Sequence, residues 1–144
     1  MRPDLRALAL ALMIAAPAAA WEEPARGTPL RADLLDAIRP FLEWDLGPPV
    51  EIVVQTLRVQ GDRAFVSAYA QRPGGVPIDM ENTPVARRGA YWPEVSDGTT
   101  IQALLQRSGR MWVAVHQAIG ATDVWYADPE LCGPWRALIP DACP

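Results

Sequence analysis

Residues 28–59 read TPLRADLLDAIRPFLEWDLGPPVEIVVQTLRV, and the change of apolar period inside this stretch decides the fold. Thr28 followed by Pro29 is a helix start, a hydroxyl that caps free backbone N–H groups ahead of a residue preset for the first turn. Leu30, Leu34, Leu35, Ile38, Phe41 and Leu42 then fall on one face of a 3.6-residue period, with Asp33, Asp36, Arg39 and Glu43 largely on the other. Pro40 removes one helix hydrogen bond and pushes on the carbonyl four residues back, so a kink or break is expected there. Gly47-Pro48-Pro49 ends the helix. From Val50 the period becomes two: Ile52, Val54 and Thr56 alternate with Val53, Gln55, Leu57 and Val59, the signature of a strand.

Toward the C-terminus, Gln60-Gly61-Asp62-Arg63 separates this run from a second one, Ala64 to Tyr69, which predicts a hairpin. Arg72-Pro73-Gly74-Gly75 stops the second strand. Residues 76–98 read as a long irregular polar stretch, an edge loop or a functional flap. Thr99 to Gln106 fits a helical face through Ile101, Leu104 and Leu105, or a strand face through Thr99, Ile101, Ala103 and Leu105. The Ser108-Gly109 turn and the run Met111 to Ile119 favour the strand, which makes a second hairpin. In its last strand Met111, Val113, Val115, Gln117 and Ile119 alternate with Trp112, Ala114, His116 and Ala118. Asp128-Pro129 opens a short helical turn that stops at Gly133-Pro134.

Toward the N-terminus, Arg2 and Arg6 precede an apolar run from Ala7 to Ala16, then Pro17-Ala18-Ala19-Ala20 ahead of a polar Trp21-Glu22-Glu23-Pro24. A basic start, an apolar core too short to span a bilayer and small residues at its end predict a signal peptide, residues 1–20, cut after Ala20. Residues 21–144 then form a single domain, exported to the periplasm or secreted. No other apolar run approaches the ~18 residues of a membrane span. The chain carries a net charge of −4 and its basic residues are all arginine. An acidic domain lacks the clustered positive face that phosphate neutralisation needs, so nucleic acid is not an expected partner. Cys132 and Cys143 are the only two cysteines. In an oxidising compartment they are expected to form a bridge that ties down the tail.

One amphipathic helix followed by an antiparallel four-stranded meander predicts an α+β layer fold, with the helix burying its stripe on one sheet face and a disulfide-tied tail. The order over residues 28–120 resembles the cystatin-like and NTF2-like shapes, and the chain is also similar in character to small exported bacterial proteins. A cystatin inhibitor carries Gln-x-Val-x-Gly at its first hairpin; Gln55-Thr56-Leu57-Arg58-Val59 departs from it, so the resemblance implies a fold and no protease inhibition.

Candidate chemistry is sparse. His116, the sole histidine, reads either as a strand residue held by a neighbour or as a general base oriented by Asp123 in a pocket between helix and sheet. Asp79 with Glu81, and Asp123 with Asp128, fit loop capping as well as acid/base work. Ser67, Ser96 and Ser108 lack a nucleophile turn, and Gly74-Gly75 precedes no phosphate-binding helix. With the thiols bridged, no metal site is expected, and no cofactor. Aromatic residues are plentiful in loops. Tyr91 and Trp92, with Arg87 and Arg88, lie in the long loop, and Trp125 and Tyr126 follow the last strand; such side chains anchor partners. The expectation is a non-enzymatic binding domain for a protein or small-molecule ligand, with residues 76–98 and the aromatics near 125 as its recognition surface. The alternative is a small enzyme with His116 as base.

Overall fold

The computed structural model describes residues 21–143. The expected leader, residues 1–20, lies outside them. Helix α1 spans Pro29–Leu46, capped by Thr28, whose Oγ1 accepts from the Arg31 amide at 3.4 Å. Leu34, Ile38, Leu42 and Leu46 are fully buried at four-residue spacing, so every turn adds one anchor to the same stripe. That stripe explains why the expected break at Pro40 does not occur. The helix runs through it. Pro40 and Asp36, whose carbonyl loses its partner, are on the exposed side, where water can serve that carbonyl while buried leucines hold the turns before and after.

Four strands follow: β1 Glu51–Gln60, β2 Arg63–Gln71, β3 Thr100–Ser108 and β4 Met111–Ile119. They form one antiparallel sheet in the order β1-β2-β3-β4, joined at both hairpins by two-residue turns. Of the stretch that fitted helix or strand, Thr100 onward is therefore strand, with Thr99 in the turn before it. Ala64, Val66, Ala68 and Ala70 of β2 and Ile101, Ala103 and Leu105 of β3 pack under α1. Leu34, Ile38, Leu42 and Leu46 of α1 fill the space above them, and the helix backbone comes nearest to β4.

Strict alternation fails in both edge strands, and for one reason. The β1–β2 register shifts between Val54 and Thr56, and the β3–β4 register between Leu104 and Leu105, where Leu104 faces His116 and Leu105 faces Ala114. An extra residue in each edge strand, Gln55 and Val115, reverses the facing of everything beyond it. Ile52, Val54, Leu57 and Val59 thus all pack toward α1, as do Trp112, Ala114 and Ile119. His116 goes to the opposite face instead of sharing Trp112's.

That opposite face carries a second layer. Phe65 and Leu104 are covered by Cys132, Trp135, Leu138, Ile139 and Cys143, with Trp125 and Tyr126 packed around them. The Cys132–Cys143 bridge closes this segment, with Cα atoms 5.4 Å apart. Its short helix α3, Pro129–Trp135, is capped by Asp128, whose Oδ1 accepts from the Glu130 amide at 2.9 Å. The helix passes through Gly133 and Pro134, where a stop was expected, because Cys132 and Trp135 on either side are buried against the sheet. Arg58 Nη1 donates to the Leu138 carbonyl at 2.8 Å and its guanidinium lies 4.3 Å from the Trp21 ring, tying β1 to the layer.

Candidate functional site

The segment between β2 and β3 is not irregular throughout. It holds a single-turn helix at Met80–Asn82, helix α2 at Pro84–Arg87 and another turn at Pro93–Val95. Local capping builds the first two. Asp79 accepts from the Glu81 amide at 3.2 Å and from Asn82 Nδ2 at 2.6 Å, while Thr83, fully buried, donates to the Met80 carbonyl at 2.6 Å and accepts from the Ala86 amide. Asp79 is therefore committed to shaping its own turn.

Two close approaches press this segment onto the body of the protein. A Cβ on Gly47 would stand 3.3 Å from Pro84 Cδ, so α2 seats tightly against the end of α1, where a side chain at 47 would make Pro84 give by a few tenths of an ångström. At the end of β4, a Cβ on Gly120 would lie 2.5 Å from Ser96 Oγ and 2.9 Å from the Gly98 carbonyl. Gly120 also has φ +66°, a left-handed conformation that suits glycine. The Asp97 amide donates to its carbonyl at 2.8 Å.

Between these contacts lies a cleft of about 450 Å³, lined by Asp45 from α1, Met80, Val85 and Arg88, then Tyr91, Trp92, Val95 and Ser96, and Ile119 to Ala121 from the end of β4. Trp92 is 60% exposed and Val95 65%, and Trp44, near the cleft through Arg88, is 69% exposed. A larger trough of about 500 Å³ runs between the first turns of α1 and β1, but its walls are Arg26, Arg31, Glu51, Thr28 and aliphatic side chains with no aromatic.

Both arginines have partners within the chain. Arg88 forms an ion pair through Nη2 with Asp45 Oδ1, donates from Nη1 to the Trp44 carbonyl at 3.2 Å and lies 4.9 Å from the Trp44 ring centroid. Arg87 donates to the Asn82 carbonyl at 2.7 Å. Both hold the segment, one to α1 and one to itself. Arg88 still forms part of the cleft wall.

Trp125 and Tyr126 do not join this surface. Tyr126 packs on Phe65 with centroids 5.1 Å apart, Trp125 stands edge-on to Tyr126 at 5.6 Å, and both belong to the disulfide-tied layer on the other side of the sheet. The two aromatic groups expected to form one surface are thus separate.

His116 is exposed on that same outer face and meets Trp135 edge-on, with ring centroids 5.7 Å apart. It lines neither the cleft nor the trough, and no hydrogen bond joins it to Asp123, which is itself exposed. The pocket between helix and sheet that a base at His116 requires is filled by Leu and Ile side chains. Among the described residues no three His, Cys, Asp or Glu side chains gather closely enough to hold a metal ion.

Trp44, Asp45, Val85, Val95 and Ile119 were not singled out from the sequence. Trp44 alone carried a signal, as a large aromatic outside the apolar stripe of α1. No protein-family model matches this chain, and neither a curated protein nor a solved structure matches it significantly.

Proposed function

We propose that this is an exported, non-enzymatic binding domain that holds a partner in the cleft between α1, the residue 79–98 segment and the end of β4. One observation carries the reading: Trp92 and Val95 are left in water on the wall of a preformed cleft whose other parts are clamped by Arg88, Thr83 and Gly120. Burying such side chains is the main favourable term a ligand can gain, and a rigid wall spares the entropy of ordering it. The volume suits a small molecule or the anchoring side chains of a protein. The bridge between Cys132 and Cys143 supports the export part, since such bonds persist where thiols are oxidised. We read the order of helix and meander as a cystatin-like or NTF2-like shape, and take no activity from it.

The test is capture from an extract of the exported fraction of producing cells, comparing the wild type with Trp92→Ala. A hot-spot tryptophan contributes about 2 kcal/mol or more, so the variant is expected to lose at least tenfold in affinity for the bound species. Its melting temperature should stay within about 2 °C of wild type, because the ring packs little against the fold. Equal capture by both proteins counts against this reading.

A further inference from the structure

The two edges of the sheet are unequally protected. β1 carries Glu51 and Arg58, and its last turn is closed by Glu22, which exchanges two backbone hydrogen bonds with Val59 at 2.7 and 2.8 Å. β4, Met111–Ile119, has no carboxylate, lysine or arginine in its nine residues. It leaves Met111, Val113 and Val115 exposed at 68%, 40% and 41%. Among the described residues no strand pairs with its outer edge. A long uncharged apolar edge is a template for another strand; proteins that stay single break it with charge, proline or a bulge, and of these β4 has the bulge at Val115 alone.

We propose that β4 is the contact surface for a second copy of this chain, the two β4 strands pairing antiparallel about a two-fold axis beside Val115 and His116. Three features single out a second copy. First, the hairpin turn fixes which backbone groups point outward: Trp112 and Ala114 before the bulge, Gln117 and Ile119 after it. A two-fold antiparallel pair sets Trp112 opposite Ile119 of the second copy and Ala114 opposite Gln117 of the second copy, so both backbone direction and side-chain face match. Second, the two bulges then face each other at the axis, and neither strand shifts the other's register. Third, charge is complementary end to end. Arg107 and Arg110, exposed and without an ion pair among the described residues, flank the start of β4, while Asp97 and Asp123, also exposed, flank its end. Antiparallel pairing brings the basic end of each copy to the acidic end of the other, in molecules whose overall charge of −4 otherwise repels. This surface is distinct from the cleft wall, touching it only at Ile119.

Sedimentation of the folded protein tests the proposal. The mass is expected to rise from one to two copies as concentration increases about a hundredfold into the high-micromolar range, and Val113→Glu should hold it at one copy without lowering the melting temperature. Val115→Cys should give a two-chain disulfide species under mild oxidation, whereas Val76→Cys, at an exposed site beyond β2, should not. Arg110→Asp should weaken association several-fold, and adding Asp97→Arg should restore it. A one-copy mass at every concentration overturns the proposal, as does equal cross-linking at both cysteine positions.

Discussion

Two aromatic-bearing segments lie outside the sheet, residues 79–98 and 121–143, and they meet opposite fates. The second folds back through a disulfide and becomes a core layer: Trp135 is 5% exposed and Tyr126 rests on Phe65. The first is clamped at its ends and over α2, yet leaves Trp92 60% exposed beside a cleft. The same residue types are covered in one place and left in water in the other. What separates them is packing: the tail, looped by the Cys132–Cys143 bridge, covers Phe65 and Leu104, while the other segment is held at Asp45 by Arg88 and approaches Gly47 and Gly120 closely, leaving Trp92 uncovered.

The contrast breaks most visibly at the two tryptophans. Trp135→Ala removes a buried ring between Leu138, Ile139 and Leu104 and should destabilise by about 3–5 kcal/mol in chemical denaturation. Next comes Cys132→Ser with Cys143→Ser, expected to cost about 2.5–3 kcal/mol by the loop-closure argument and to increase binding of a hydrophobic dye as Phe65 and Leu104 are uncovered. Ligand capture by the cleft should survive in that variant at temperatures where it is still folded. Thr83→Ala removes the cap of α2 and the donor to Met80, so a loss of about 1 kcal/mol is expected, read as a small drop in melting temperature. Trp92→Ala should sit at the bottom of the series, within about 0.5 kcal/mol of wild type. A Trp92→Ala protein as unstable as Trp135→Ala would erase the distinction between the segments.

Much of the fold was legible because it follows from short-range patterns. The Thr28-Pro29 start, the stripe through Leu34, Ile38 and Leu42, and the Gly-containing turns each act within a few residues. The helix, both hairpins and the bridge therefore emerged from local reading. Of the kink or break expected at Pro40 the break does not occur, since a lost hydrogen bond on a solvent-facing carbonyl weighs less than four buried side chains. The bulges escaped local reading. In β1, apolar residues occupy both Val53 and Val54, so sequence alone does not say where the phase slips; the partner strand decides it.

The candidate site was legible only in part. Tyr91, Trp92 and Arg88 stood out as loop residues, and they do line one cleft. The role of Arg88 depends on Asp45, 43 residues away in the chain, and no local pattern links them. Trp125 and Tyr126 looked equivalent to Tyr91 and Trp92 because composition carries no information about which face of a sheet a segment will cross. His116 was placed with Trp112 by simple alternation, and one inserted residue moved it to the other side.

The amino-acid order by itself determined the helix, β1, β2, β4 and the cysteine chemistry of the tail, and it favoured a strand without deciding it at β3. These rest on backbone dihedral preferences and on desolvation with a period of two or 3.6, both expressed within one element. Tertiary structure alone decided which aromatics are covered and which stay in water, where the edge strands slip, and that Arg87 and Arg88 are clamps. Those outcomes are set by contacts between residues far apart in the chain, where packing volume and competing partners choose among locally equivalent side chains.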